Sequence, residues 1–314
     1  MKAVFISRYG SEDVLEYGEL AIPQPEPTQL LVKVYASSVN PVDWKIRLGQ
    51  LQLLTGYSFP MILGFDVAGV VEAVGARVTR FQPGDEIYAF LGTVPGGAYA
   101  EYAVVNESAA CFKPRNLSYL EAATLPLAGL TALQSLRDLA EVERDNRVLI
   151  NGASGGVGSL AVQIAKAMGT EVTGVCSTDN VEFVRSLGAD RVIDYKQTDF
   201  TQETTQYDAV FDAVGARSLW ECHKVLKPYG AYVSTLPTPA TVIQSTLSTL
   251  LPGQTSQIVL TQASGWDLAY LKDLVEANQL RPICDRTYPL SEMVAAHIYS
   301  QQGRTVGKIA IQIL

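Results

Sequence analysis

The chain has no CxxC pair. Its four cysteines, Cys111, Cys176, Cys222 and Cys284, stand far apart. A structural zinc lobe needs closely spaced thiolates, so none is expected, and reduced thiols in a cytosolic protein fit the spacing. Histidine is scarce too. His223 and His297 are the only two, neither lies in a motif, and that disfavours a Ser-His-Asp hydrolase. There is no dense Lys or Arg run, and the net charge is −8. No nucleic-acid or anionic-membrane partner is therefore expected, because phosphate-rich surfaces attract basic patches. Also missing are a signal peptide, an arginine-rich transit segment and any apolar run of about 18 residues, so membrane insertion is not expected and the default location is cytoplasmic. There is no internal repeat and no low-complexity segment.

What is present is an ordinary globular balance, 47% hydrophobic and 18% charged. A length of 314 residues suits two domains, or one domain interrupted by another. Residues 1 to about 120 read as short strands between Pro and Gly, among them 30–37, 66–74 and 86–90. Turn signals at such close spacing suggest a β-rich, barrel-like domain. Near residue 120 the rhythm changes. Leu120 to Ala140 carries helical spacing, with Pro126 and Gly129 expected to break it into two helices. Strands at 147–150, 171–176, 191–194, 209–212 and 229–235 then alternate with helices at 157–168 and 180–187. Alternation of this kind predicts a parallel sheet covered on both faces. Pro237 to Gly265 reads as loop plus strand, and the tail as helices at 267–278 and 291–300 before a last strand, Gly307 to Leu314.

The strand Val148-Leu149-Ile150 runs into Asn151-Gly152-Ala153-Ser154-Gly155-Gly156-Val157-Gly158, and a helix follows. Small residues there let backbone N–H groups and a helix N-terminus approach a pyrophosphate. Gly155 and Gly158 keep the last two positions of G-x-G-x-x-G, and Ala153 takes the first. Alone the string is weak; heading an alternating βα array, it points to a dinucleotide. The second strand ends at Cys176 with Ser177 and Thr178 next, so no carboxylate repels a 2′-phosphate at its tip and two hydroxyls can donate to one. Asp179 lies just beyond, where an acid might also be counted. The expectation is NADPH, although Ser177, Thr178 and Asp179 can equally cap the next helix.

Taken together, Ser38 to Lys45, Gly64 to Gly69, Gly129-Leu130-Thr131-Ala132, Asn151 to Gly158, Leu187 to Asp190 and Phe211 to Gly215 resemble the zinc-free quinone oxidoreductase branch of the medium-chain dehydrogenase/reductase superfamily. Close relatives look like the plant and bacterial alkenal and enone reductases, which also carry an Asn-Pro-Val-Asp segment. The resemblance implies an α/β fold: a GroES-like β-barrel catalytic domain from 1–120 plus 266–314, with a Rossmann domain, 121–265, inserted. It implies a homodimer, and substrate and nicotinamide meeting in the cleft between domains. It sets Asn40 and the pair Phe65-Asp66 where zinc alcohol dehydrogenases bind catalytic metal. Phe65 cannot ligate zinc, so alcohol oxidation is not expected.

A site without zinc can still pass hydride to an acceptor that is already electron-poor, such as a quinone, an enal or an enone. Negative charge then collects on oxygen, which needs orientation and hydrogen bonds. The expected residues are Asn40, as amide donor; Asp43, orienting its neighbours; and Lys45, stabilising an enolate or relaying a proton. Asn40 can instead fix a loop before Pro41, and Lys45 can be a solvated surface lysine. The resemblance further assigns Thr131, at the head of a helix, to the nicotinamide end, and Tyr195 to the adenosine phosphate. Relatives have a lysine where this chain has Asn180; Lys196 or Arg304 can compensate. Tyr57, Phe59 and Tyr88 are candidates for a pocket wall or for packing. The alternatives are an enoyl-thioester reductase and a non-catalytic nucleotide-binding protein.

Overall fold

The computed structural model describes residues 1–237, 239–248 and 252–314. Along the chain come β1 (Lys2–Ile6), β2 (Leu15–Glu19), β3 (Gln29–Val39), α1 (Pro41–Arg47), α2 (Gln52–Thr55), β4 (Met61–Ile62), β5 (Asp66–Val74) and β6 (Glu86–Phe90). Next are β7 (Tyr102–Asn106), β8 (Ala110–Phe112), α3 (Tyr119–Ala123), α4 (Pro126–Gln134), β9 (Arg147–Asn151), α5 (Gly156–Ala167) and β10 (Glu171–Cys176). They are followed by α6 (Val181–Ser186), β11 (Arg191–Asp194), β12 (Tyr207–Asp212), α7 (Leu219–Cys222), β13 (Leu226–Ser234), α8 (Pro239–Ser248) and β14 (Thr255–Ile258). The chain closes with α9 (Gly265–Glu276), β15 (Cys284–Pro289), α10 (Met293–Gln301) and β16 (Lys308–Gln312).

Two compact units result: Met1–Leu130 with Gln262–Glu276 and Pro282–Leu314, and Thr131–Thr261 with Ala277–Arg281. The expected boundaries fall after residues 120 and 265; the chain passes between units at 130/131, 261/262, 276/277 and 281/282.

In unit 1 a seven-stranded sheet runs β15-β16-β3-β5-β6-β8, with β7 also paired to β3. Leu30, Val32 and Val34 of β3 alternate into a core with Val67, Val71, Ile87 and Ala89, the period of two that a strand requires. Register decides what matters for chemistry. β16 is antiparallel to β3 with Ile309 opposite Val39, which carries Lys308 to the end of β3. On the other side β5 is antiparallel to β3 with Ala68 opposite Ala36, which carries Asp66 to the same end. Asn40 follows β3 directly.

Only Pro126 breaks the 120–140 region as expected. Gly129 lies inside α4, where a Cβ would fall 2.9 Å from the Leu271 side chain, so its bareness admits α9. A π-helical turn, Ser135–Leu139, extends α4.

Unit 2 holds a six-stranded sheet in the order β11-β10-β9-β12-β13-β14. Every pairing in it is parallel. This is the doubly wound order, with the reversal between β9 and β12. The region read as loop plus strand holds β14 but also α8, while 238 and 249–251 lie outside the described residues. The helix escapes a pattern reading for a physical reason. Its Thr241 and Gln244 are 2% exposed whereas Val242 and Ile243 are 47% and 54% exposed, the reverse of an amphipathic face.

Candidate functional site

A candidate cofactor site in unit 2 lies where its sheet order reverses. β9 ends at Asn151, and the chain turns sharply at Gly152, whose φ is +79°. The N–H groups of Gly152 and Ala153 donate to the Val175 carbonyl at 3.1 and 2.9 Å, which clamps the turn against β10. Ala153 is fully buried. Ser154 and Gly155 lead into α5, with Gly155 as its N-cap and Gly156, Val157 and Gly158 as its first turn. First-turn N–H groups have no intrahelical acceptor and suit a phosphate. Gly158 is required by the close approach: a Cβ there would meet the Gly152 carbonyl oxygen at 2.1 Å. Asp212, at the end of β12, braces the neighbouring loop by accepting from the N–H groups of Val214, Gly215 and Arg217 at 3.1, 2.9 and 2.8 Å. It also takes the Asn151 side-chain amide at 2.9 Å. The residues present fit a dinucleotide pyrophosphate.

Beyond β10, Ser177 and Thr178 have partners that the sequence did not disclose. Asn180 Nδ2 donates to Ser154 Oγ at 3.1 Å and to Ser177 Oγ at 3.2 Å, tying the phosphate turn to the end of β10. Thr178 Oγ1 donates to Asp194 Oδ2 at 2.7 Å, so its hydrogen is already used. Tyr195 is 57% exposed. Lys196 Nζ lies 3.8 Å from Asp179, which brings one cation to this rim. Thr131 is corrected in position. It is the sixth residue of α4, not its head, and its hydroxyl shares a 2.7 Å hydrogen bond with that of Thr261.

In unit 1 a separate cluster lies at the end of β3. Asp43, the third residue of α1, accepts the Asn40 N–H at 2.7 Å and the Tyr99 hydroxyl at 2.6 Å, both on Oδ2. It is completely buried. Loss of water pushes its carboxyl up to about 7, against the pull of Tyr99, the Asn40 N–H and Lys308. Tyr99 is buried as well and raised well above its ordinary range, chiefly by burial, so it stays a neutral donor. His297 stands edge-on to the Tyr99 ring at 5.9 Å, and burial lowers it to about 3, leaving it neutral.

Asp66 is the acceptor hub. Its Oδ2 takes Ser38 Oγ at 2.6 Å and Asn40 Nδ2 at 2.7 Å, and its Oδ1 takes the Leu127 N–H at 2.7 Å. Lys308, 6% exposed, donates to the Val39 carbonyl at 3.1 Å and to Asn40 Oδ1, with Asp66 Oδ2 at 3.7 Å. Burial pulls its ammonium below the ordinary lysine value, and Asp66 and Asp43 oppose that.

Of the three expected catalytic residues, the fold therefore brings Asn40 and Asp43 together. Lys45 stays outside their network. It is half-buried on α1, its ammonium 5.6 Å from the Trp44 ring, and desolvation lowers its pKa. The sequence assigns no role to Tyr99 or Lys308, and it marks Asn180 only as a lost cation. Lys308 did leave a signal: it opens a strand that continues Ile309-Ala310-Ile311, apolar toward both faces. Tyr88 is a core residue, fully buried with its hydroxyl on the Leu268 carbonyl, while Tyr57 is 68% exposed. Among the described residues, no three His, Cys, Asp or Glu side chains gather to hold a metal ion. Asn40, Phe65 and Asp66 do not fit one by residue type either, since Phe65 has no donor atom and both others already have partners.

Comparison with known proteins agrees with this geometry. Residues 26–115 match the alcohol dehydrogenase GroES-like domain family, and residues 187–311 the zinc-binding dehydrogenase family. The chain is 36% identical to a chloroplastic quinone-oxidoreductase homolog of Spinacia oleracea, covering 99% of this chain and 98% of that protein. It is 34% identical to the chloroplastic NADPH-dependent alkenal/one oxidoreductase of Arabidopsis thaliana, over 99% of this chain and 79% of that one. The solved quinone oxidoreductase of Coxiella burnetii superposes with a TM-score of 0.90 at 34% identity, covering 100% and 99% of the two chains. The chain belongs to the quinone oxidoreductase branch of the medium-chain dehydrogenase/reductase superfamily, close to its alkenal and enone reductases.

Proposed function

We propose that the protein is an NADPH-dependent reductase that passes hydride to a quinone, or to the C=C bond of an α,β-unsaturated carbonyl compound, without a metal. One observation carries the reading. Where the superfamily's alcohol dehydrogenases hold metal, this chain has an amide, Asn40, fixed between a carboxylate and an ammonium. Such a group can donate a hydrogen bond to an acceptor oxygen but supplies no Lewis acid.

NADPH, when bound, supplies the hydride. The α5 N-terminus and the turn from Ala153 to Gly158 hold its pyrophosphate, and Ser177, Lys196 and Tyr195 receive the 2′-phosphate end. Asn40 donates to the oxygen on which charge develops. Asp43 keeps α1 and Tyr99 in place, and water or Lys45 delivers the proton. Lys45→Ala is expected to lower kcat about tenfold, worth about 1.4 kcal/mol, with NADPH affinity unchanged by fluorescence titration. Wild-type turnover would remove Lys45 from the reaction.

The reading is tested by following nicotinamide absorbance with NADPH and with NADH against 2-alkenals, an enone, naphthoquinones and crotonyl-CoA. NADPH oxidation at least about tenfold faster than NADH oxidation, the worth of one charge-assisted contact to phosphate, and unaffected by a chelator, is the expected result. Preference for crotonyl-CoA would make the protein an enoyl-thioester reductase. Cofactor binding without turnover would make it non-catalytic.

A homodimer is part of the proposal, because β14 forms an edge of the six-stranded sheet and open edges invite pairing. A cytoplasmic location is supported by four free cysteines. Among the described residues no helix is long and apolar enough to cross a membrane.

A further inference from the structure

We infer that Lys308 is a positioning residue of the reductase reaction: its buried ammonium locks the Asn40 amide in one orientation, leaving a single N–H for the acceptor oxygen. The inference rests on unit 1 being the acceptor site.

The bonding pattern separates this role from that of a simple ion-pair partner. Lys308 Nζ is 3.7 Å from Asp66 Oδ2, too far for a hydrogen bond. Its donors go instead to the Val39 carbonyl and Asn40 Oδ1. Asp66, in turn, fills its oxygens from Ser38, Asn40 and the Leu127 N–H. The carboxylate balances the ammonium's charge, but the ammonium's hydrogens serve Asn40.

A primary amide offers one acceptor oxygen and two N–H donors, and it can turn end over end. Here that turn is blocked twice. Reversal would set N–H against the Lys308 ammonium and C=O against the Asp66 carboxylate. In the observed orientation the oxygen is held by Lys308 and one hydrogen by Asp66. One N–H is left. The same two neighbours polarise the amide, pulling electrons toward the oxygen and sharpening the remaining N–H as a donor. A donor set before charge develops costs no reorganisation when the acceptor oxygen becomes negative.

The residues meet only in the folded chain. Lys308 and Asn40 are 268 positions apart, and the antiparallel register of β16 on β3 joins them.

The test is a double-mutant cycle of Lys308→Met and Asn40→Ala, with kcat and KM for an enone and NADPH affinity by fluorescence. Lys308→Met is expected to lower kcat at least about 20-fold, short of the roughly 100-fold that outright loss of an oxyanion donor costs because the amide remains but is no longer fixed, with NADPH affinity within about twofold. In an Asn40→Ala background it should change kcat less than about threefold, because the two act as one unit. Effects that multiply, or near wild-type kcat in Lys308→Met, overturn the proposal. If Lys308→Met does not fold, Lys308→Gln enters the same cycle. A readout that needs no turnover accompanies it. With selective 15N-asparagine labelling, the Asn40 side-chain amide should show two well-separated, slowly exchanging proton signals that collapse in the Lys308 variant. If wild type lacks turnover, the acceptor-site reading fails while this signal still decides the positioning role. Unchanged Asn40 signals overturn it.

Discussion

Gly158→Ala is expected to weaken NADPH binding at least about 100-fold, some 2.7 kcal/mol, in a chain that still folds. The reason is a distance. A methyl group at this position would lie 2.1 Å from the Gly152 carbonyl oxygen and 2.9 Å from the Ala153 Cα. Both are backbone atoms, so no side-chain rotation relieves the clash; the turn must open. That turn is clamped from the other side by the Gly152 and Ala153 N–H groups on the Val175 carbonyl. Opening it draws the N–H groups of the turn and the α5 N-terminus away from one another, and they no longer converge on one phosphate. Each hydrogen bond to a charged group is worth about 1.5–3 kcal/mol, so two lost contacts reach the expected figure. Gly155→Ala is the control for sterics alone. A Cβ there meets nothing nearer than 3.5 Å, so its melting temperature should match wild type. Fluorescence titration with NADPH, beside far-UV circular dichroism of the apoprotein, checks both. Unaltered affinity in Gly158→Ala would show that this turn does not hold the cofactor.

The difference between what the sequence discloses and what it hides follows from the range of each interaction. The phosphate turn is local: a strand, a run of small residues and a helix occupy 147–167, and their order alone implies the chemistry. The alternation that predicts the parallel sheet is local as well. Asn40 is the N-cap of α1 and Asp43 its third residue, and the resemblance singled out both. Their surroundings are not local. Asp66 reaches Asn40 across 26 positions, Tyr99 reaches Asp43 across 56 and Lys308 reaches Asn40 across 268. Each of these distances is closed by strand register or by a glycine turn, and neither names the partner, although Lys308 does stand out as a charge opening an apolar strand.

Tyr99 illustrates the point. Its string, Gly96-Gly97-Ala98-Tyr99, reads as a turn into a strand, but the ring is buried because Gly64 makes room for it: a Cβ on Gly64 would stand 2.4 Å from the ring. Asn180 was hidden differently. Against the lysine of relatives it reads as a lost cation, whereas it bridges Ser154 and Ser177.

Removing the carboxylate hub should produce the largest loss of stability. Asp66→Ala is expected to cost about 3–5 kcal/mol, the usual penalty for leaving one member of a buried ion pair uncompensated. The first unfolding transition should fall by about 10 °C, at about 2–4 °C per kcal/mol for units of this size. Four groups are affected together: Ser38 Oγ, Asn40 Nδ2 and the Leu127 N–H lose their acceptor, and the Lys308 ammonium loses its nearest counter-charge. The pH dependence identifies the ammonium as the main cause. Burial already depresses the Lys308 pKa, and Asp66 is the strongest group opposing it. Without Asp66 the folded-state value falls further below that of the unfolded chain, and the unfolded state binds the extra proton. Stability of the variant must then rise with pH across the window between the two values, so its deficit narrows from neutral toward alkaline solution. Adding Lys308→Met should recover most of the lost stability, since an apolar pair of similar volume is commonly as stable as a buried ion pair. It should not recover turnover, because the Asn40 amide then has neither neighbour to orient it. Thermal melts of the single and double variants between neutral and alkaline pH, with kcat measured beside them, separate the two roles. A deficit that stays constant with pH would place the cost in the lost neutral hydrogen bonds instead of in the stranded charge.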